Sequence, residues 1–351
     1  MRPVLTDERG VALFMVLWVL VLLSVIVGEF CHTMRTEVNI TRNFKEETQA
    51  YYIARAGVNI TVSELLKAQA APPKSVNDDD DAADDEDTIR WRVNAEMPAI
   101  PFGDGQFRVR IGNESGKINI NRAEQGLLKV MLNRFELADE DRDTITDSIL
   151  DWRDRDELHR LNGAESEYYQ TLDIPYNAKN GDFDSAEELL LVKGVTPEMF
   201  YNGLREMVTV YPKSDSAKKV EKKKSAAADK AKKEKAFDYN RININAASPP
   251  VLGTLPLMTE ELVRAVAEYR KEEGDFTALS QLVPVLGDEV YRAVYPYVTL
   301  ETSPLFTIRS AGTLKESRTV REVAATVETD MKLEKKYRII QWLDGGDRPV
   351  Q

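Results

Sequence analysis

A run of seventeen side chains without a charge, Val11 to Val27 (VALFMVLWVLVLLSVIV), begins one residue after Gly10 and constrains everything that follows it. Ser24 is its one polar member, and extension through Gly28 to Phe30 gives a segment of roughly 20 residues, enough to cross about 30 Å of hydrocarbon as a helix. The stub before it, MRPVLTDERG, is polar. A secretory signal peptide has a shorter apolar core and a small-residue cleavage site, whereas this run continues into Gly28-Glu29-Phe30-Cys31-His32. A plain single-pass anchor satisfies the apolar run equally well. Arg2 and Arg9 before the span and Arg35, Arg42 and Lys45 after it leave the orientation undecided by charge.

The helix is expected to continue past the membrane edge. Ile40, Phe44, Tyr51, Val58 and Leu65 recur at helical spacing with Val62 beside them, and Glu46, Glu47, Arg55, Asn59 and Glu64 fill the other faces. This pattern predicts one helix reaching Ala70, stopped by Pro72-Pro73. Half of it would span a membrane and half would be amphipathic.

The leader ending in Gly10, the apolar helix starting at once and FKEETQAYYIARAGVN (Phe44 to Asn59) resemble the type IV pilin superfamily, and more closely the type II secretion minor pseudopilin K family. The resemblance implies cleavage by a prepilin peptidase between Gly10 and Val11, with methylation of the new N-terminus. Many family members carry a larger apolar residue where Val11 stands. At the fifth mature position most pilins have a glutamate, thought to neutralise the terminal ammonium of a neighbouring subunit; here the residue is Met15. A buried carboxylate with no ammonium to meet is costly, so an apolar side chain suits a subunit with no neighbour ahead of it. The K-type family is similar in lacking this glutamate, which implies a place at the filament tip. A lipid-facing methionine is also compatible with an ordinary anchor.

With 351 residues and a formal net charge of −12, the chain has room for two or three cores. One cysteine, Cys31, excludes an intramolecular disulfide, so an exported domain must be held by packing or by a metal. Two histidines, His32 and His159, give little basis for histidine catalysis or a zinc site.

Strand-like alternation appears at Gln106 to Ile111, and again at Phe306 to Arg309, Arg318 to Val327 and Lys335 to Trp342. A strand before a long helical stretch and several after it predict one sheet split by an insertion. Inside the insertion, Lys117-Ile118-Asn119-Ile120-Asn121 is echoed 124 residues later (117 to 241) by Arg241-Ile242-Asn243-Ile244-Asn245. Each echo precedes a helix, and Asn121 with Glu124 has capping-box spacing. Each repeat closes with a related element, Phe183 to Val195 or Phe276 to Asp288, read as a helix–turn–helix with Gly194 or Gly287 in the turn.

The expected fold class is therefore α+β: a type IV pilin-like long N-terminal helix plus an antiparallel sheet, with a large all-α insertion of two helix-hairpin-helix/SAM-like repeats. The expected division is a leader at 1–10, the transmembrane half-helix at 11–30, its periplasmic half at 31–71 and a sheet domain from 72–116 and 297–351. The first repeat occupies 117–212 and the second 239–296. Between them, 213–238 carries ten basic and five acidic residues and reads as a flexible linker able to meet anionic lipid or an acidic partner. Asp78 to Asp87 (DDDDAADDED) reads as a solvated loop.

The second repeat, with EYRKEEGDF (Glu268 to Phe276), looks like the helix-hairpin-helix modules of DNA-uptake proteins. Such modules offer backbone amides to a phosphate with nearby Lys and Arg. Tyr239 to Leu300 has five basic and eight acidic residues, and its turn carries Asp288-Glu289; the first repeat, Lys117 to Tyr211, has eleven basic and twenty acidic, with Lys193 alone at its turn. Nucleic acid is accordingly not an expected partner, although a membrane-anchored DNA-binding protein of an uptake or type IV pilus system is the alternative function. A periplasmic hydrolase using the clustered carboxylates is a third class, unsupported by any nucleophile–base pair or glycine-flanked serine.

The acid of the first repeat is concentrated. Asp151, Asp154 and Asp156 fall within DWRDRD, Glu165 and Glu167 follow in GAESEYY, and Asp182 and Asp184 precede the closing element. Short-spaced aspartates with later glutamates are a sound way to gather the six to eight oxygens calcium takes, although no EF-hand pattern is present; an exposed acidic loop is the alternative. The K-type family has a similar DW-x-D-x-D … GAE-x-x-Y stretch around which calcium is bound. That resemblance implies Ca2+ at Asp151, Asp154, Asp156 and Glu165, then Glu167, with Asp182 and Asp184 in a variable segment. It further implies a non-enzymatic subunit of the bacterial inner membrane, single-pass, with its C-terminal domain in the periplasm. Its implied partners are I-type and J-type minor pseudopilins, the major pseudopilin, the prepilin peptidase and inner-membrane lipid.

Overall fold

The computed structural model describes residues 8–70, 91–95, 97–211, 237–315 and 317–345, with side chains of the first helix described from residue 13 onward. The Pro72-Pro73 stop, the acidic run 78–87 and nearly all of the linker lie outside these residues. Gly10 and Val11 fall in the helix by their backbone alone.

Helix α1 (Glu8–Ala70) is continuous over 63 residues, about 95 Å at the standard rise. From Leu13 it is long and apolar enough to cross a membrane, and none of its most apolar window is buried in the protein. Full burial against the rest of the chain starts at Ala50 and continues through Ile53, Ala54, Val58, Thr61, Val62 and Leu65. The expected amphipathic face therefore needs correcting at its lower end. Ile40 and Phe44 are 63% and 71% exposed, since among the described residues none covers them.

Among the described residues the sheet has five antiparallel strands: β1 (Ile100–Phe102), β2 (Gly105–Asn113), β7 (Leu305–Leu314), β8 (Val320–Thr329) and β9 (Tyr337–Gly345), in the spatial order β1-β2-β7-β8-β9. Four overlap the alternating segments expected from sequence, β8 and β9 each starting two residues later than expected. The short β1 was not foreseen; it joins β2 through a tight turn in which Gly103 takes a φ of +57°. Phe107, Val109 and Ile111 on β2 pair with Gly312, Ser310 and Ile308 on β7, which pair in turn with Arg321, Val323 and Ala325 on β8. The face carrying Phe107, Val109, Ile111, Ile308, Val323 and Ala325 is buried against α1 in a single core. Contact is close. A Cβ on Gly57 would lie 2.3 Å from Ser310 Oγ, and one on Gly312 would lie 2.2 Å from the Ala50 carbonyl oxygen.

Between β2 and β7 stands the helical insertion, with a separate core. Its two echoes fold alike. Strand β3 (Ile118–Asn119) pairs in parallel with β4 (Val208–Thr209), and β5 (Ile242–Asn243) with β6 (Val298–Thr299), so each repeat is a loop closed by a two-residue parallel ladder. Val298 and Thr299, expected with the sheet, belong to the second repeat because their ladder partner lies there.

The echoed asparagines make these closures. Asn121 donates to the carbonyls of Phe183 and Val210 and accepts from the Phe183 amide; Asn245 does the same with both backbone groups of Phe276. Asn121 is thus no helix cap. Helix α2 (Gln125–Met131) has Glu124 at its N-cap without a side-chain bond, since the Asn121 amide is already committed. Capping of the box type appears further on, where Glu188 reaches back to the amides of Asp184 and Ser185 and Gln281 to those of Thr277 and Ala278. Gly194 and Gly287 sit in the closing turns with φ of +86° and +79°, a region glycine adopts without steric cost.

Candidate metal centre

Helix α3 (Asp139–Arg153) builds one wall of the site. Its last turn buries Trp152, which stacks on Phe183 with ring centres 6.2 Å apart and meets Tyr169 edge-on at 5.3 Å. Arg153 is drawn inward to donate to the carbonyls of Ile120 and Ala123. The second repeat has the same pair in Tyr269, stacked on Phe276 at 4.3 Å, and Arg270, bonded to the carbonyl of Ala247. Burial pulls both guanidinium groups down to about 10.

This correspondence locates the acidic segment. In the second repeat Arg270 and Phe276 are joined by Lys271–Asp275 alone; in the first, 154–182 lies between Arg153 and Phe183. The acidic site is an elaboration of one hairpin loop in a duplicated unit.

With α3 ending at Arg153, Asp151 is left facing inward and fully buried, and Asp154 half-buried beside it. The loop returns through Gly163, whose hydrogen faces Asp151; a Cβ there would fall 1.8 Å from Asp151 Oδ2. Glu165 follows, 4% exposed. One oxygen each from Asp151, Asp154 and Glu165 lies within 4.8 Å of the others.

Arg160 enters this group from the loop. Its Nη1 donates to Asp151 Oδ1 and to Asp154 Oδ2, the latter at 2.7 Å, while its backbone amide donates to Asp151 Oδ2 at 3.0 Å. Among the described residues neither oxygen of Glu165 has a hydrogen-bond partner, nor has Asp154 Oδ1, although all three atoms are buried. Burial, then the charges of Asp151, Asp154, Glu157 and Asp156, pushes the Glu165 carboxyl up to about 7. Burial also raises Asp151, against the opposing pull of Arg160.

The other expected ligands are placed elsewhere. Asp156 is exposed and accepts from the Leu158 amide, and Glu167 is exposed at the start of the short helix Ser166–Tyr169. Asp182 pairs with Arg122 at 3.1 Å and Asp184 with Lys179 at 2.6 Å. Glu157, not singled out in the sequence, accepts from Ser166 and Asn180 on the rim; its only signal was position within the acidic run. Arg160 and Gly163 were missed because counting carboxylates gives no weight to a cation or a glycine. Lys193, isolated at its turn by sequence, in fact clamps the loop, donating to the Gly163 carbonyl at 3.3 Å with its ammonium 4.8 Å from the centre of the Tyr168 ring.

The donors fit a hard cation. They are all carboxylate oxygens, suited to calcium and not to a thiolate- or imidazole-seeking metal. Buried carboxylate oxygens without a donor are costly, and a divalent ion among Asp151, Asp154 and Glu165 would satisfy them together.

The family described as type II secretion system (T2SS), protein K, matches residues 110–213, and the helix-hairpin-helix motif matches residues 238–299. Among curated proteins, a type II secretion system protein K of Aeromonas hydrophila is 25% identical over 217 residues, covering 56% of this chain and 62% of the relative. The chain thus spans less than two thirds of that relative's length in the matched region. The protein K of Pseudomonas aeruginosa is 23% identical over 303 residues, covering 81% of this chain and 80% of the relative. A chain from the crystal structure of the GspK-GspI-GspJ complex of the enterotoxigenic Escherichia coli type 2 secretion system shares the fold, with a TM-score of 0.56 at 16% identity over 88% of this chain and 99% of that one. In sequence, most clearly over residues 110–213, and in fold, the chain is similar to type II secretion system protein K.

Proposed function

We propose that the protein is a non-enzymatic minor pseudopilin that sits at the tip of a type II secretion pseudopilus, joined to I-type and J-type minor pseudopilins. In this role it helps to initiate or cap the filament from the inner membrane. One observation carries this reading: the insertion grows from the end of the sheet farthest from the apolar half of α1. Gln69, near the end of α1, donates to Thr329 Oγ1, and the Thr329 amide donates to the carbonyl of Pro304, where the chain re-enters the sheet. Asn113, where the chain leaves it, pairs with Phe306. At the opposite end Ser317 and Arg321 meet Glu46 and Glu47. A second subunit stacked above would meet the insertion instead of a bare sheet end. Exposed apolar side chains from Leu13 to Phe30 remain for the bilayer or for neighbouring helices.

Calcium at Asp151, Asp154 and Glu165 belongs to the same proposal as a structural ion. When bound it supplies charge neutralisation and ties the end of α3 to the Gly163–Glu165 return. The chain's own residues do the remaining work: Trp152, Tyr169 and Phe183 exclude water from below, and Lys193 fixes the return from the side.

The helix-hairpin-helix match in the second repeat does not favour the DNA-binding alternative, because the Gly287 turn leads directly into Asp288 and Glu289. Co-expression with I-type and J-type minor pseudopilins, followed by light scattering of the detergent-solubilised material, tests the assembly. A complex with one copy of each is expected; recovery of this chain alone, with the other two associated without it, would reject the reading.

A further inference from the structure

We infer that Arg160 is an internal competitor for the cation site: its guanidinium holds Asp151 and Asp154 together in the metal-free chain and must leave before a divalent ion binds, so this residue sets the concentration at which the site fills. The inference rests on the calcium reading above.

The geometry makes the two occupants exclusive. A calcium ion bound to Asp151 and Asp154 needs oxygens at about 2.3–2.6 Å, and Arg160 Nη1 already lies between the two carboxylates, 2.7 Å from Asp154 Oδ2. Both would hold positive charge in one small volume, where mutual repulsion adds to the steric conflict.

The arginine is also an incomplete substitute. It serves Asp151 and Asp154 but leaves both oxygens of Glu165 and one of Asp154 without partners among the described residues. A divalent ion can meet all three carboxylates. Exchange of guanidinium for metal is thus favourable in contacts, yet opposed by two charge-assisted hydrogen bonds that must first break.

The exchange needs little backbone movement. The Arg160 amide is tied to Asp151 Oδ2 and its carbonyl accepts from Gly163 at 3.1 Å, contacts independent of the guanidinium. Its side chain is 39% exposed and has a route to solvent. The loop can keep its course while the side chain swings out.

The test compares wild type, Arg160→Gln and Arg160→Lys as full chains in detergent, by calorimetric titration with calcium and by thermal melting in chelator. Removing two charge-assisted bonds from the competing state should make Arg160→Gln bind calcium about tenfold tighter and melt at a lower temperature than wild type in chelator. Arg160→Lys, which retains a charge without the planar fork, should fall between the two and covers the case in which the glutamine variant does not fold without metal. Calcium affinity unchanged or weakened in Arg160→Lys, or in a folded Arg160→Gln, overturns the inference while leaving the calcium site standing. Absence of any calcium heat or melting shift in wild type removes the calcium reading itself, and this inference falls with it.

Discussion

Gly163 lies against Asp151 so closely that a methyl group on Gly163 would come within 1.8 Å of the Asp151 Oδ2 atom. Asp151 is fully buried and both of its oxygens are held by Arg160, so the carboxylate has no space into which to retreat. Gly163→Ala should therefore push the return loop off α3, costing roughly 1–3 kcal/mol as an overpacked site does. Calcium-dependent stabilisation, read as the difference in melting midpoint with and without chelator, should be largely lost. A variant with wild-type midpoints in both conditions would show that the loop is not packed this way.

The Glu165 carboxyl gives the metal-free protein a particular pH dependence. Its folded value of about 7 stands above the ordinary 4.5, chiefly through burial and then through the charges of Asp151 and Asp154. The folded chain consequently binds this proton more tightly than the unfolded chain does. Stability from this group is full below about 4.5 and is lost as pH rises toward 7. In chelator, melting midpoints should fall from pH 5 to pH 7, and Glu165→Gln should flatten that slope. With calcium present the trend should weaken or reverse, because protons and metal compete for the same oxygens. A chelator series in which wild type and Glu165→Gln show the same slope would refute this assignment.

Asn121 and Asn245 occupy matching places and should fail in matching ways. Asn121 makes three bonds to two chain segments and Asn245 two bonds to one. Asn121→Ala leaves buried backbone groups of Phe183 and Val210 unpaired and should cost roughly 2–3 kcal/mol. Asn245→Ala should cost less. Chemical denaturation of the two variants measures the ranking, and equal losses would contradict the difference in bonding.

These asparagines also mark how far the sequence could be read. Repetition of Lys-Ile-Asn-Ile-Asn as Arg-Ile-Asn-Ile-Asn exposed the duplication, because identical local demands leave identical residues. The use of Asn121 stayed hidden, since its partners lie at Phe183 and Val210, far along the chain, and local spacing suggested a cap instead. Asp151, Asp154 and Glu165 could be picked out by type, but their convergence depends on where α3 ends and on Gly163 letting the return approach. Trp152-Arg153 and Tyr269-Arg270 were visible as residues, yet their equivalence appears only once both aromatic rings are seen on Phe183 and Phe276. Periodicity likewise carried α1 to Ala70 but could not say that Ile40 and Phe44 stay exposed among the described residues.

A tight helix–sheet approach supplies a last prediction. Gly312 on β7 faces the α1 backbone, where a Cβ would stand 2.2 Å from the Ala50 carbonyl oxygen and 2.5 Å from the Ala54 nitrogen. Both obstacles are backbone atoms of a continuous helix, so relief requires α1 to move away from the whole sheet rather than one side chain to rotate. Gly312→Val should then loosen the packing of Ile53, Val58 and Val62 on Phe107 and Val323 and lower stability by about 3 kcal/mol, at the upper end of overpacking costs. Gly126→Ala in α2 is the matched control, because a Cβ there meets nothing within 4 Å. That control should be neutral or slightly stabilising, as replacing a helical glycine generally is. Thermal melting of the two variants beside wild type decides the matter: comparable midpoints for Gly312→Val and Gly126→Ala would mean that α1 does not dock on β7 at this distance.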